Sequence, residues 1–199
     1  MSKTIAIVSR KGGVGKSTLC SNLAVIAQDA TILDCDDQAS LADWGDRREQ
    51  ELPTIVPITA KRAGAFLKGV TTQWAFIDTP GDLNTGVIDI LKISDLALIV
   101  LRMGQFELDS ISATLSAIQL TQASAVIVIN HLHPNANAEE LIQKLQSTGL
   151  SLRVAPIAIR QRTDFQTAAN LGLGVIELAK DNKAAQEINS LWQWLQQEV

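Results

Sequence analysis

The sequence predicts an α/β fold, a doubly wound and mostly parallel β-sheet with helices on both faces. Three observations predict it. Short apolar runs alternate with stretches of helical length, as in repeated strand–helix–strand units. Most of these runs are continuously apolar, which is typical of parallel strands covered on both faces. Polar motifs follow several of the runs, and in such folds ligands bind beyond the carboxyl ends of the strands.

The predicted elements alternate along the whole chain. Strands are expected near Thr4–Ser9, Thr31–Asp34, Thr54–Ile58, Trp74–Asp78, Leu96–Leu101, Ala125–Asn130 and Leu152–Ala155. Helices are expected near Ser17–Gln28, Leu41–Gln50, Ala60–Lys68, Thr85–Lys92, Leu108–Gln119, Ala138–Thr148, Asp164–Leu171 and Asn182–Glu198. The sequence has no internal repeat or obvious linker, so residues 1–199 are expected to form a single domain.

The composition is that of an ordinary globular protein. Hydrophobic residues make up 46% of the 199 residues and charged residues 19%, and every apolar stretch is shorter than the ~18 residues of a membrane span. The chain starts without a signal-peptide pattern, and two cysteines are too few for a disulfide framework, so we expect a cytoplasmic protein. A net charge of −4 argues against a broadly basic protein that coats nucleic acid.

The first strand leads into a glycine-rich loop that has the chemistry of a phosphate site. Backbone N–H groups of such a loop can point inward, and the helix that follows adds its positive dipole end. Lys16 is placed to reach the β- and γ-phosphates of a nucleotide, and the Ser17 hydroxyl to bind Mg²⁺. We therefore expect an ATP site formed by Lys11, Gly12, Gly13, Val14, Gly15, Lys16, Ser17 and Thr18.

A second lysine, Lys11, separates this loop from the plain Gly-x-x-x-x-Gly-Lys-Ser pattern, whose first glycine is replaced by Arg10. The octet matches the deviant Walker A box at every position, so the chain resembles the ParA/MinD ATPases. In that family the early lysine crosses a dimer interface. The resemblance implies that Lys11 and Lys16 are both catalytic, with Lys11 stabilising the γ-phosphate charge in the other subunit. The alternative for Lys11 is a solvated surface lysine.

Carboxylates follow the second strand, in the segment Asp34-Cys35-Asp36-Asp37-Gln38-Ala39-Ser40. Such a cluster near a phosphate site suggests water positioning or indirect Mg²⁺ contact. The segment resembles the family's Asp-x-Asp-Pro-Gln-x-Ser box, except that Asp37 replaces the usual proline. The resemblance implies that Asp36 is catalytic, orients the attacking water and belongs to the metal site, and that Asp34 is structural. The alternative for Asp36 is a helix cap, although Ser40 is a better cap candidate.

The fourth strand ends in an aspartate, Asp78, which gives a Walker B pattern. Asp78 would hold the Mg²⁺ shell through water. The segment that follows includes Gly81, which could offer a backbone N–H near the γ-phosphate or simply form a tight turn with Pro80. The predicted metal site therefore comprises Ser17, Asp36 and Asp78.

The sixth and seventh strands are expected to supply the adenine site. The resemblance implies that Asn130 pairs with adenine and that the region starting at Pro156 walls the pocket. His131 and His133 suggest either a metal pair or, in the absence of a suitably spaced third ligand, ordinary loop histidines. The loop after the fifth strand, residues 102–107, is expected at a dimer interface.

Basic residues near the C-terminus are candidates for DNA contact. The resemblance implies non-specific DNA binding by this region, and its cations are Arg160, Arg162, Lys180 and Lys183. Ordinary solvated side chains are the alternative. The last helix carries apolar residues at helical spacing and lacks the basic polar face of a membrane-binding helix, so we expect it to pack onto the domain, with no membrane partner.

The resemblance covers essentially the whole chain. It implies a homodimerising ATPase that needs ATP and Mg²⁺, is weak alone, and is stimulated by a ParB-like or other cargo-adaptor protein. It also implies that the ATP-bound dimer sits on the nucleoid and segregates plasmid or chromosomal DNA. Three alternatives remain open: the same ATPase with a protein or organelle cargo, a MinD-like membrane regulator of division, and a nucleotide binder in which Asp37 has stopped hydrolysis.

Overall fold

The computed structural model describes residues 2–38, 40–82, 84–102, 105–147, 152–179 and 181–199. Within them the chain forms seven strands: β1 (Lys3–Val8), β2 (Ala30–Asp34), β3 (Thr54–Pro57), β4 (Trp74–Asp78), β5 (Leu96–Arg102), β6 (Ala125–Leu132) and β7 (Arg153–Arg160). The helices are α1 (Lys16–Ala27), α2 (Ser40–Asp46), α3 (Ala60–Leu67), α4 (Thr85–Ile93), α5 (Gln105–Thr121), α6 (Ala138–Ser147), α7 (Thr163–Asn170), α8 (Val175–Leu178) and α9 (Lys183–Leu195).

The strands form one parallel sheet in the order β3-β2-β4-β1-β5-β6-β7. Strand β1 lies at its centre, where Ile5 pairs with Phe76 of β4 and Leu96 of β5. The order runs outward from β1 in both directions, so the doubly wound prediction is confirmed. The loop after β1 lies at the point where the two halves of the sheet diverge, which is where ligands bind in open α/β sheets.

Two hydrophobic clusters cover the sheet, one on each face. Ile5 and Ile7 of β1 belong to one cluster, and Ala6 and Val8 belong to the other. Successive side chains of a strand point to opposite faces. A strand that is buried on both faces must therefore be apolar at every position, which explains the continuous apolar runs in the sequence.

Helix α9 packs on the face of the sheet that also carries α1. Trp192 is 6% exposed, and its ring lies edge-on to Trp74 with 4.6 Å between centroids, while the Phe76 centroid is 6.0 Å away. The predicted packing of the last helix onto the domain is confirmed. Within the described part of the chain, no helix combines the length and apolar character needed to cross a membrane.

Two elements near the C-terminus differ from the prediction. Strand β7 does not end at Ala155 but continues to Arg160. Its pairing with β6 shifts register twice, and a segment with such irregular pairing shows no regular strand pattern in the sequence. Helix α8, a single turn that begins directly after Gly174, is not among the predicted helices. The Glu177 carboxylate accepts a hydrogen bond from the Gly174 N–H at 2.8 Å, which caps this turn.

Candidate functional site

The loop between β1 and α1 requires glycine at its last position. Gly15 has φ +92° and precedes the first residue of α1, and a Cβ there would lie 2.4 Å from the amide nitrogen of Asn130. Gly13 also has a positive φ, of +75°. Both values lie in the left-handed region that glycine adopts without steric cost. The main chain thus curls into the amino end of α1, where its N–H groups favour an anion.

Asn130 fixes this loop by a hydrogen bond. Its amide nitrogen donates to the Val14 carbonyl oxygen at 2.7 Å, and the residue is 2% exposed. One N–H group of this amide therefore fixes the loop. The second N–H and the Oδ1 oxygen are not used by that bond, so the pairing of Asn130 with adenine stays a prediction.

The two lysines of the loop differ in burial. Lys16, the first residue of α1, is 5% exposed, while Lys11 is exposed. The carbonyl oxygen of Lys11 accepts a hydrogen bond from Ser9 Oγ at 2.8 Å, which fixes the backbone at that position. Lys16 is therefore enclosed by the protein, whereas Lys11 is accessible to solvent.

Ser17 and Asp78 meet at the base of the loop. The Ser17 hydroxyl donates to Asp78 Oδ2 at 2.5 Å, and Asp78 is fully buried at the end of β4. Burial raises the pKa of Asp78 to about 7, while the hydrogen bond from Ser17 and the charge of Lys16 lower it. The other carboxylate oxygen, Oδ1, has no hydrogen-bond partner among the described residues.

These groups fit a divalent cation bound together with a nucleotide. A serine hydroxyl and a buried carboxylate with an unpartnered oxygen are hard oxygen donors of the kind Mg²⁺ takes. The described residues contain no cluster of three or more His, Cys, Asp or Glu side chains suited to a metal. Phosphate oxygens and water would therefore have to supply the rest of the coordination shell, as is usual for Mg²⁺.

The aspartates after β2 have separate tasks. Asp34 is 3% exposed, and its carboxylate accepts from the N–H of Asp36 at 3.3 Å and of Ala42 at 3.2 Å, so it ties the strand end to the first turn of α2. Burial raises the pKa of Asp34. Asp36 is half-buried, and its Oδ1 accepts from the Gln38 N–H at 3.1 Å. That bond lies before α2, so Asp36 does not cap the helix.

The loop after β4 touches the glycine-rich loop directly. A Cβ at Gly81 would lie 3.1 Å from the backbone nitrogen of Gly12 and 3.3 Å from its Cα. Such distances are tighter than most real Cβ contacts. Glycine at this position therefore allows the two main chains to approach, next to the site where the terminal phosphate of a nucleotide would lie.

A cleft of about 330 Å³ opens beside the glycine-rich loop, at the carboxyl ends of β6 and β7. Its lining includes Thr18, from the first turn of α1. The other lining residues come from β6, from β7 and from the segment that follows β7: His131, Arg160, Gln161, Arg162, Phe165, Gln166 and Ala169. Burial, and then the charge of Arg102, lower the pKa of His131. From the sequence, His131 is interpreted as either a loop histidine or half of a metal pair. Its position directly after Asn130 is the signal that it borders this site.

Several predicted residues lie elsewhere. Pro156 is exposed in the irregular middle of β7, four residues before the strand ends, so the structure does not group it with the nucleotide residues. His133 is exposed, and its Nδ1 accepts from the Asn135 N–H at 3.2 Å, which is no metal pairing with His131. Lys183 is exposed at the start of α9. Lys180 lies outside the described residues, as do residues 103 and 104 of the expected interface loop.

The two arginines predicted to bind DNA are held within the chain. Arg160 Nη1 donates to the carbonyl oxygens of His133, Pro134 and Ala136 at 3.1, 2.8 and 3.0 Å. Arg162 donates from Nε and Nη2 to Glu187 Oε1 at 3.1 and 2.5 Å. DNA phosphates would have to compete with these partners, and DNA contact by Arg160 and Arg162 stays a prediction.

Comparison with known proteins places the chain among nucleotide-binding proteins of this fold. A family model described as the CobQ/CobB/MinD/ParA nucleotide binding domain matches residues 5–175. The maintenance of carboxysome distribution protein A of Halothiobacillus neapolitanus is 25% identical over 205 residues, which cover 94% of each chain.

Solved structures show the same fold at low identity. A protein of Borrelia burgdorferi B31 described as a plasmid partition protein, bound to AMPPNP, matches with a TM-score of 0.78 and 16% identity over all of both chains. The septum site-determining protein MinD of Pyrococcus horikoshii OT3, complexed with Mg-ADP, matches with a TM-score of 0.77 and 15% identity, over 98% of this chain and 96% of its own.

Proposed function

The chain belongs to the CobQ/CobB/MinD/ParA nucleotide-binding domain family, and from that premise we propose that it is an ATPase that uses ATP with Mg²⁺ as a switch for dimerisation. The observation that carries the proposal is the group formed by Lys16, Ser17 and Asp78. A buried ammonium, a hydroxyl and a buried carboxylate with an unpartnered oxygen meet at the end of a glycine loop, and together they suit a nucleotide phosphate with its cation.

The chain's own residues would divide the chemistry between them. The loop N–H groups and Lys16 bind the phosphates, and Ser17 and Asp78 hold the magnesium shell. The cation, when bound, neutralises charge that develops on the phosphate oxygens. Asp36 lies beyond β2 with its carboxylate only half-buried, so it can accept a hydrogen bond from the attacking water.

Two copies would complete each other's site. Lys11 is exposed, and it would reach the γ-phosphate held by a partner copy. ATP thus favours the dimer, and hydrolysis separates it. Hydrolysis is slow in the absence of a partner protein and is stimulated by an adaptor bound to cargo.

The cargo of the first candidate function is DNA. The dimer binds DNA without sequence preference, associates with the nucleoid in the cytoplasm, and segregates a plasmid or chromosome with a ParB-like partner. The resemblance of the fold to the Borrelia plasmid partition protein supports this candidate. Lys183 remains an exposed cation for phosphate contact, while Arg160 and Arg162 are occupied internally.

The second candidate function has a protein body as its cargo. It is favoured by the 25% identity to the carboxysome distribution protein of Halothiobacillus neapolitanus over 94% of both chains. Cross-linking in cells, followed by capture of the chain, separates the two candidates. A DNA cargo predicts enrichment of one genomic or plasmid locus through the adaptor, whereas a protein body predicts enrichment of that body's proteins with no preferred locus.

Steady-state ATP hydrolysis tests the proposal at its centre. We expect Mg²⁺-dependent turnover in the wild type and loss of ATP binding in Lys16→Ala. Asp36→Ala should still bind ATP but hydrolyse it roughly 100-fold more slowly, because the substitution removes the group that orients the water. Asp37→Ala is the matched control, because Asp37 is exposed and adjacent. Absence of ATP binding by the wild type would refute the proposal, and ATP binding without turnover would leave a regulatory nucleotide binder.

A further inference from the structure

One carboxylate on α9 holds the wall of the 330 Å³ cleft. Glu187 Oε1 accepts two hydrogen bonds from the Arg162 guanidinium, at 3.1 and 2.5 Å, and Glu187 Oε2 accepts one from the Arg160 backbone N–H at 3.0 Å. Both side chains are largely buried, with 15% of Glu187 and 18% of Arg162 exposed. The two oxygens of Glu187 therefore fix the end of β7 at Arg160 and the segment before α7 at Arg162.

A second set of contacts extends this hold to the neighbouring loop. Arg160, whose N–H is bound by Glu187, sends its guanidinium to three carbonyl oxygens of the loop between β6 and α6. That loop follows the end of β6, where His131 lines the cleft. A continuous series of hydrogen bonds thus runs from α9 through Arg160 to both loops that border the cleft.

The cleft has the chemistry of a purine site. Phe165 offers a half-buried aromatic face, and the amides of Gln161 and Gln166 offer both donors and acceptors. Thr18, the residue that follows the phosphate-binding Ser17, also lines it, so a nucleotide whose phosphates lie in the glycine loop would extend its base here. Glu187 itself is absent from the lining and acts only through the residues it holds.

We propose that Glu187 is a positioning residue for the nucleotide base: it sets the two loops that form the base cleft and so contributes to ATP affinity without touching the nucleotide. This inference rests on the proposed function, because it concerns the same nucleotide. The inference predicts that loss of Glu187 weakens binding of the base but not of the phosphates. The phosphate site depends on the glycine loop and on Asn130, and neither takes part in the Glu187 contacts.

Binding of two ligands to the full chain tests the inference. ATP uses both the phosphate site and the cleft, whereas inorganic tripolyphosphate uses the phosphate site alone. With Mg²⁺ present, we expect Glu187→Ala to weaken ATP binding about tenfold, by calorimetry, and to leave tripolyphosphate affinity unchanged. Glu187→Gln keeps one acceptor oxygen and should lie between the wild type and Glu187→Ala, and it carries the test if the alanine variant does not fold.

Glu177→Ala is the matched control. Glu177 also binds an arginine through both oxygens, with distances of 2.8 and 2.7 Å to Arg48, but neither residue lines the cleft. We expect this variant to melt at a lower temperature while it binds ATP as the wild type does.

The outcomes separate the two proposals. A wild type that binds neither ligand would overturn the proposed function. If the wild type binds ATP, then equal ATP affinity in all variants would overturn the inference about Glu187. Equal weakening of ATP and tripolyphosphate in the Glu187 variants would overturn it too, because the defect would then be general rather than confined to the base cleft.

Discussion

At the scale of single residues, Asp78 is the most consequential side chain. It is fully buried beside Asp34, and one of its oxygens has no hydrogen-bond partner among the described residues. Leaving a buried carboxylate half-satisfied costs stability. Proteins tolerate such a cost where a ligand later satisfies the group, which agrees with a role in holding magnesium.

The pH dependence of stability reports on this carboxylate. Burial raises the pKa of Asp78 from its ordinary value of 3.8 to about 7, so the folded metal-free protein binds this proton more tightly than the unfolded chain. The proton on Asp78 therefore stabilises the folded protein. This stabilisation is fully present below pH ~4 and is lost as the pH rises through about 7, which lowers the free energy of unfolding by about 4 kcal/mol at most.

We accordingly expect Asp78→Asn, a neutral isostere, to remove this part of the fall in stability between pH 5 and pH 8. Urea unfolding in EDTA measures it. Asp37→Asn changes an exposed carboxylate and should keep the wild-type slope. Parallel wild-type and Asp78→Asn curves would contradict the assignment.

At the scale of elements, the sequence predicted the strands and helices that have a clear local pattern of apolar residues. Strands β1 to β5 were predicted to within one residue at each end. For β1, β2, β4 and β5 the reason is that apolar runs buried on both faces have sharp limits. The end of β7 and the single turn of α8 were not predicted. The first depends on shifts in pairing with β6, and the second on a cap from Glu177, and neither leaves a periodic pattern.

Helix α9 provides an element whose energetic role can be measured. Trp192 is 6% exposed between Trp74 and Phe76, so Trp192→Ala should leave a cavity and lower the free energy of unfolding by about 3–5 kcal/mol. Chemical denaturation measures the loss. Trp194, on the same helix but only partly buried, is the control, and Trp194→Ala should cost less. An equal or larger loss in the control would show that α9 docks differently.

At the scale of the whole molecule, the sequence predicts the residues of the proposed phosphate site but not the long-range contacts around it. The octet from Lys11 to Thr18 is contiguous, so its spacing could be recognised directly. The bond between Asn130 and Val14 joins residues 116 positions apart, and those of Glu187 with Arg162 join residues 25 apart. Such pairs become adjacent only after the sheet is assembled, so the internal partners of Arg160 and Arg162 could not be predicted from the sequence.

The proposed dimer depends on the different burial of the two loop lysines. Lys16 is 5% exposed and Lys11 is exposed, so we expect Lys11→Ala to lose ATP-induced dimerisation while the monomer still binds nucleotide. Light scattering after size-exclusion chromatography, with and without ATP, measures this. Arg10→Ala removes the adjacent exposed cation and should still dimerise. Normal dimerisation of Lys11→Ala would remove the role of Lys11 in the partner's site.

The close approach of Gly81 to Gly12 has a consequence for how nucleotide occupancy is communicated. The space between the two main chains is too small for a side chain at Gly81, and this steric limit depends on neither ionic strength nor protonation. A movement of either loop toward the other on nucleotide binding would therefore meet the same resistance at every salt concentration. We expect any coupling between these two loops to be insensitive to salt.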